Sequence, residues 1–114
     1  MPDSPLQHVD EEFHRILRLL NGPAHTPVHQ LTAAQARAQA EYLFQGPSVQ
    51  AVGSQEDLVA QTDAGDISCR FYHPRPGERL PLLVYYHGGG WVLGNLQSIH
   101  GVTASLAARS GCAV

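Results

Sequence analysis

Apolar residues recur at helical spacing through the first twenty positions. Leu6, Val9, Phe13, Ile16, Leu17 and Leu20 fall on one face, which predicts an amphipathic helix. Ser4 can cap it with Pro5 at the first helical position, and Gly22 followed by Pro23 stops it. Residues 24–30, AHTPVHQ, carry a proline and no period, and read as a linker. A second helix is expected from Thr32, where Gln35 completes a capping box, through ARAQAEYLF to a stop at Gly46 and Pro47. Residues 47–55 read as loop. From Glu56 to Pro74 apolar and polar positions alternate around Asp63, Ala64 and Gly65, the pattern of two antiparallel strands joined by a tight turn.

The period changes after the turn-rich RPGERLP, residues 75–81. Leu82 to Tyr86 is an unbroken apolar run, the signature of a strand buried on both faces. Ser98 to Ser110 returns to helical spacing, with Val102, Leu106 and several alanines, and Gly111 ends it. Residues 112–114, CAV, read as the start of another buried strand. Strand, crossover helix and strand make a βαβ unit, which belongs to a parallel sheet covered on both faces. The chain therefore reads as α/β with an incomplete sheet, the N-terminal part of something longer, whose central edge lacks a neighbour.

Composition narrows the class. The 114 residues are 43% hydrophobic and 15% charged, as in a globular protein. A net charge of -3, with seven scattered arginines and no lysine, gives no basic stripe for nucleic acid. No apolar run approaches the length of a membrane span. The N-terminal MPDSPLQHVDEEF carries acids where a signal peptide carries bases, so a cytoplasmic location is expected, with Cys69 and Cys112 as free thiols. Leu43 to Pro47, LFQGP, matches the core site of a viral processing protease used to remove tags; with ordinary chain on both sides, it is read as chance.

The chemistry concentrates in YYHGGGWVLGN, residues 85–95. Each glycine adds to the entropy lost on folding, so three in succession at the end of a strand need a reason. The candidate reasons are a strained turn, close backbone approach to a ligand, or a loose linker. A flexible linker would need neither the apolar strand before it nor the flanking histidine and tryptophan.

The motif His87 to Trp91, HGGGW, resembles the oxyanion loop of the hormone-sensitive-lipase group of α/β-hydrolases, mainly esterases. Ester hydrolysis passes through a tetrahedral oxyanion, stabilised by backbone N–H groups aimed at it in advance. Several N–H groups converge only where the backbone turns sharply and no β-carbon obstructs the substrate, and glycine meets both demands. The likeness covers essentially the whole chain: two N-terminal helices, an antiparallel pair, PLLVYYHGGGWVLGN, a helix ending LAARSG, then a strand. It implies that the N–H groups of Gly89 and Gly90 bind the oxyanion and that Gly88 shapes the turn. It also implies that His87 holds the loop by hydrogen bonds, that Trp91 lines the substrate pocket, and that residues 1–50 contribute to a lid over a core begun by residues 51–114. Many members carry an acidic residue, often preceded by histidine, where this chain has Ile99 and His100, which puts any anchoring by that pair in doubt.

The family's nucleophile sits in a G-x-S-x-G elbow, and none occurs here. Ser98, Ser105 and Ser110 fall on a predicted helix and read as surface or cap residues. Without a nucleophile and its base the segment alone is expected to be inert. His25 and His29 are separated by Pro27, and His8 and His14 stand six apart, so neither pair has helical metal-binding spacing and no metal or cofactor is expected. The glycines at 88, 90 and 94 do not give the dinucleotide pattern, and no P-loop lysine follows. The implied whole is a cofactor-independent carboxylesterase acting on a small-molecule ester. The alternatives are a non-catalytic ligand-binding protein on the same fold, as in plant gibberellin receptors, and an inactive truncated product.

Overall fold

The computed structural model describes residues 8–43 and 49–114. Within them the chain forms α1 (Glu11–Leu20), α2 (Ala33–Leu43), β1 (Ser54–Thr62), β2 (Gly65–His73) and α3 (Leu96–Ser110). Ser4, Pro5 and Leu6, and the stop at Gly46 and Pro47 with most of LFQGP, lie outside the described residues.

α1 starts at Glu11, with Asp10 as its N-cap residue, so positions 8–10 expected in the helix precede it. Glu11 and Glu12 place negative charge in the first turn and Arg18 lies in the last, each where the helix dipole favours it. Of the expected apolar stripe, Phe13, Ile16, Leu17 and Leu20 lie on α1 and none of these is buried; Phe13 and Ile16 are about half exposed. The expected linker holds a turn of 3₁₀ helix at Val28–Gln30, closed by the Gln30 N–H donating to the Pro27 carbonyl at 2.9 Å.

The capping box of α2 forms as its sequence predicts. The Thr32 N–H donates to Gln35 Oε1 at 2.9 Å, and the Gln35 N–H to Thr32 Oγ1 at 3.3 Å. A second brace joins α2 to the chain before it. The Thr26 N–H donates to Gln39 Oε1 at 3.2 Å, and Gln39 Nε2 to the Thr26 carbonyl at 3.0 Å. Ala36, on the next turn from the cap, is buried.

β1 and β2 pair antiparallel from Ser54↔His73 to Thr62↔Gly65, so pairing begins two residues before the expected Glu56. Asp63 and Ala64 make the turn, and the Thr62 hydroxyl donates across it to the Gly65 carbonyl at 2.6 Å. Asp57 and Arg70 stand opposite each other in the register and form a bidentate ion pair, Nε to Oδ1 at 2.6 Å and Nη2 to Oδ2 at 3.1 Å. A further bond, Arg70 Nη1 to Gln97 Oε1 at 3.3 Å, ties β2 to α3.

Backbone bonding extends the sheet beyond this hairpin. Tyr72 and Val114 exchange both N–H···O=C bonds, at 2.8 and 2.9 Å, as a hydrogen-bonded antiparallel pair does. On the other side, the Leu83 N–H donates to Ala113 (2.8 Å) and the Ala113 N–H to Pro81 (2.9 Å), a parallel bridge. The terminal residues thus bond to β2 on one side and to residues 81–83 on the other, with α3 between the partners of the parallel bridge. Of the two strands expected at Leu82 to Tyr86 and at residues 112–114, this one bridge is what forms among the described residues.

Two burial expectations are corrected. Leu82 to Tyr86 does not lie buried on both faces: Leu82 is 66%, Val84 64% and Tyr86 87% exposed. A strand is buried by layers on both faces, and here α3 packs on the sheet through β2. α3 also differs in its face and its start. Val102 is half exposed, while Thr103, Ala104 and Ala107 are buried. Small residues on that stripe let the helix lie close to Tyr72 and Val114, with Leu83 and Leu106 around them. The helix begins two residues before Ser98 because Asn95 caps it. Asn95 Oδ1 accepts from the Ser98 N–H at 2.8 Å, and Ser98 Oγ accepts from the Asn95 N–H at 2.9 Å. Gly111, at φ 71°, closes the helix in the left-handed conformation as expected.

Candidate active site

The extended segment ends in a loop whose backbone an ordinary residue would resist. Gly89, Gly90 and Trp91 take φ of +138°, +58° and +58° in succession, and Gly94 takes +88°. A Cβ built on Gly89 would run into the carbonyl of Leu93, with the carbonyl carbon 2.6 Å away. Both the Val92 and Leu93 N–H groups donate to the Gly89 carbonyl, at 3.1 and 2.8 Å. That carbonyl is therefore turned into the loop, and the close approach around it is what requires glycine. Among the described residues the N–H groups of Gly89 and Gly90 have no acceptor.

His87 anchors the start of the loop. Its Nδ1–H donates to the Gly88 carbonyl at 2.8 Å, and Gly94 closes against the same ring, where a Cβ would stand 3.0 Å from Nδ1. Gly88 itself has ordinary φ and open space around it. Trp91 is fully exposed in a left-handed conformation that costs about 1–2 kcal/mol for a residue with a side chain. The loop, Tyr86 and the apolar side chains of Leu58, Ile67, Leu83 and Val114 border an open groove of about 1080 Å³. All five residues singled out from the sequence, His87 to Trp91, line this groove.

Two contacts near the loop carried no sequence signal. The first is Arg37 on α2, whose Nε–H donates to the Val92 carbonyl at 2.8 Å. The second involves His100, at the position where the family pattern departs. Its Nε2 lies 2.6 Å from the Val49 carbonyl, which only accepts, so Nε2 carries the proton. In the neutral ring Nδ1 then accepts the Tyr72 hydroxyl at 2.8 Å. Tyr72 is buried, so the imidazole joins the loop before β1, strand β2 and α3 at one point. Ile99 beside it lines the groove.

The serines on α3 have structural duties at two of three positions. Ser98 completes the cap, and Ser110 Oγ accepts from the Cys112 N–H at 3.1 Å. Cys69 and Cys112 are free thiols. Among the described residues no three His, Cys, Asp or Glu side chains are grouped to hold a metal ion. No helix of the described residues is long and apolar enough to cross a membrane. The Arg70 guanidinium, bonded to the Asp57 carboxylate, holds that carboxyl below its usual range, and Arg70 is raised in turn.

A segment bonded between β2 and residues 81–83, with a glycine loop ahead of the helix that leads to it, is the arrangement with which an α/β-hydrolase sheet opens. Comparison with known proteins agrees. Residues 83–114 match the sequence model of a family described by the α/β-hydrolase fold. Over 42 residues the chain is 52% identical to the carboxylic ester hydrolase LipN of Mycobacterium tuberculosis, a stretch covering 37% of this chain and 11% of LipN. It is 41% identical over 56 residues to an acetyl esterase of Salmonella paratyphi B, covering 49% of this chain and 17% of that enzyme. A hyperthermophilic esterase from the archaeon Pyrobaculum calidifontis superposes on 100% of the chain with a TM-score of 0.75 at 33% identity, over 35% of its own length. The chain is similar to the hormone-sensitive-lipase-like group of α/β-hydrolase esterases over part of those proteins' length. It spans about a third of the solved esterase, and the matched stretches are a smaller share of the other two relatives.

Proposed function

We propose that this chain supplies the oxyanion-binding loop of a cofactor-independent carboxylic-ester hydrolase. The observation that carries the reading is the loop itself: a backbone forced through three successive residues of positive φ, with the N–H groups of Gly89 and Gly90 lacking an acceptor among the described residues. A serine Oγ from sequence beyond these residues attacks the ester carbonyl, and its proton passes to a histidine base. The carbonyl oxygen becomes an oxyanion held by the Gly89 and Gly90 N–H groups, and the alcohol leaves with the proton. Water then releases the acid from the acyl-serine. Gly88 and His87 shape the loop, and Trp91 lines the acyl or alcohol side of the groove.

In this reading residues 1–50, with α1 and α2, contribute to a lid over the acyl site, and the half-exposed Phe13 and Ile16 face that use. Residues 51–114 begin the catalytic core. The substrate is a small-molecule ester, and the location is cytoplasmic. The named activities of the relatives, ester hydrolysis in each case, support the reaction class.

The test pairs the intact mass of the protein from its source with an assay on p-nitrophenyl butyrate. A mass well above 12.3 kDa together with turnover is the expected result. A mass of 12.3 kDa with no turnover overturns the proposal for this polypeptide.

A further inference from the structure

We propose that Arg37 is a positioning residue for the glycine loop: from α2 it holds the Val92 carbonyl and so fixes the backbone of Gly89 to Trp91. The inference rests on the proposed use of that loop, although the tether itself is readable without it. Positive φ at three residues in succession persists only where surrounding contacts over-determine it. Inside the loop, the Gly89 carbonyl gathers the Val92 and Leu93 N–H groups, which closes the turn upon itself. From outside, the Val92 carbonyl is held by Arg37 Nε at 2.8 Å, across 55 residues of sequence.

The element that presents Arg37 is braced at its start. The Thr32–Gln35 box and the reciprocal Thr26–Gln39 pair fix the first two turns of α2, and Ala36 beside Arg37 is buried. A long, flexible cation on such a frame delivers its planar Nε–H to one carbonyl in one direction. Because Arg37 is itself exposed, replacing it opens no cavity. The same bond makes α2 and the loop move together, so any displacement of the N-terminal helices is transmitted to the oxyanion donors.

The experiment is hydrogen–deuterium exchange on the native full-length protein and three variants, followed peptide by peptide. Arg37→Ala removes the donor and the stem, Arg37→Met keeps an apolar stem without a donor, and Arg37→Lys keeps a donor. Loss of one charge-assisted bond at an exposed site predicts about five-fold faster exchange at Val92 and Leu93 in the Ala and Met variants. Arg37→Lys is expected to lie between them and wild type. The hairpin peptide 54–73 reports folding and is expected to be unchanged. In the esterase assay the same variants are expected to lose kcat by a similar factor at unchanged KM, as for a contact that matters in the transition state. Wild-type loop exchange in Arg37→Ala, or in Arg37→Met alone, overturns the tether whatever the assay shows. Faster loop exchange in a protein without esterase activity sustains the tether and instead overturns the proposed function.

Discussion

Three adjacent glycines in this loop occupy three different environments, and alanine at each should cost a different amount. Gly88 has ordinary φ and nothing within 4 Å of a built Cβ. Gly88→Ala is therefore expected to be neutral or to stabilise by up to about 1 kcal/mol through the unfolded chain. Gly90 also has open space, but its φ of +58° is left-handed. The cost of about 1–2 kcal/mol is partly offset by the same unfolded-state gain, leaving a net loss of about 0–1.5 kcal/mol.

Gly89 is the severe position. Its φ of +138° lies outside the left-handed well that side chains tolerate, and its Cβ would overlap the Leu93 carbonyl. Relief requires the loop to open, releasing the two bonds to the Gly89 carbonyl at about 0.5–1.5 kcal/mol each. Adding about 1–3 kcal/mol of backbone strain gives a loss of about 2–6 kcal/mol. Urea denaturation of the three variants reads the series directly. With a slope of about 1–3 kcal/mol/M, Gly89→Ala should lower the midpoint by roughly 1 M or more while Gly88→Ala barely moves it. Esterase activity should follow the same order at Gly89, with a loss of about 10²–10³ in kcat if its N–H is an oxyanion donor. Equal midpoints for Gly88→Ala and Gly89→Ala would refute the loop geometry on which the reasoning stands.

Two further outcomes follow from contacts away from the loop. Tyr72→Phe leaves the Nδ1 of His100 without its hydroxyl partner in a half-buried site, and should cost about 1–3 kcal/mol in chemical denaturation. His100→Ala added to it should cost less than the sum of the single changes, because one bond is being counted twice. The Asp57 carboxyl, depressed below its ordinary value of 3.8 by the hydrogen bond from Arg70, stabilises the fold above that value and loses the contribution as pH falls through the depressed one. Thermal unfolding of wild type and Asp57→Asn should therefore differ at neutral pH and converge in acid, while a constant gap from pH 7 to 2 would rule the ion pair out as the cause.

What could be read in the sequence was what is decided within a few residues. The Thr32–Gln35 box, the turn at Asp63 and Ala64 and the left-handed stop at Gly111 each involve neighbours in the chain, and each is found. Helix starts were less legible. Asn95 takes the place before α3 by capping it, with Ser98 completing the box, whereas Asp10 precedes α1 without a side-chain cap bond. Burial was the weakest reading. The apolar run at Leu82 to Tyr86 states what the side chains prefer, yet exposure is set by which layers lie over them, and Tyr86 stands 87% exposed.

The candidate site divides in the same way, and the division explains why its motif is compact while its support is not. HGGGW is visible because the proposed oxyanion binding demands an unobstructed, sharply turned backbone over consecutive positions. The strain of that backbone has to be offset elsewhere, and the groups available to offset it come from remote elements. Arg37 reaches Val92 across 55 positions, and His100 binds Val49 across 51. Neither residue type is diagnostic, since any exposed arginine or histidine would look alike in one sequence. On the proposed reading, a chain with the same five-residue motif but no donor at position 37 would keep the glycines and lose the order they need: the motif would mark where an oxyanion can be bound, and α2 would hold the donors ready for it.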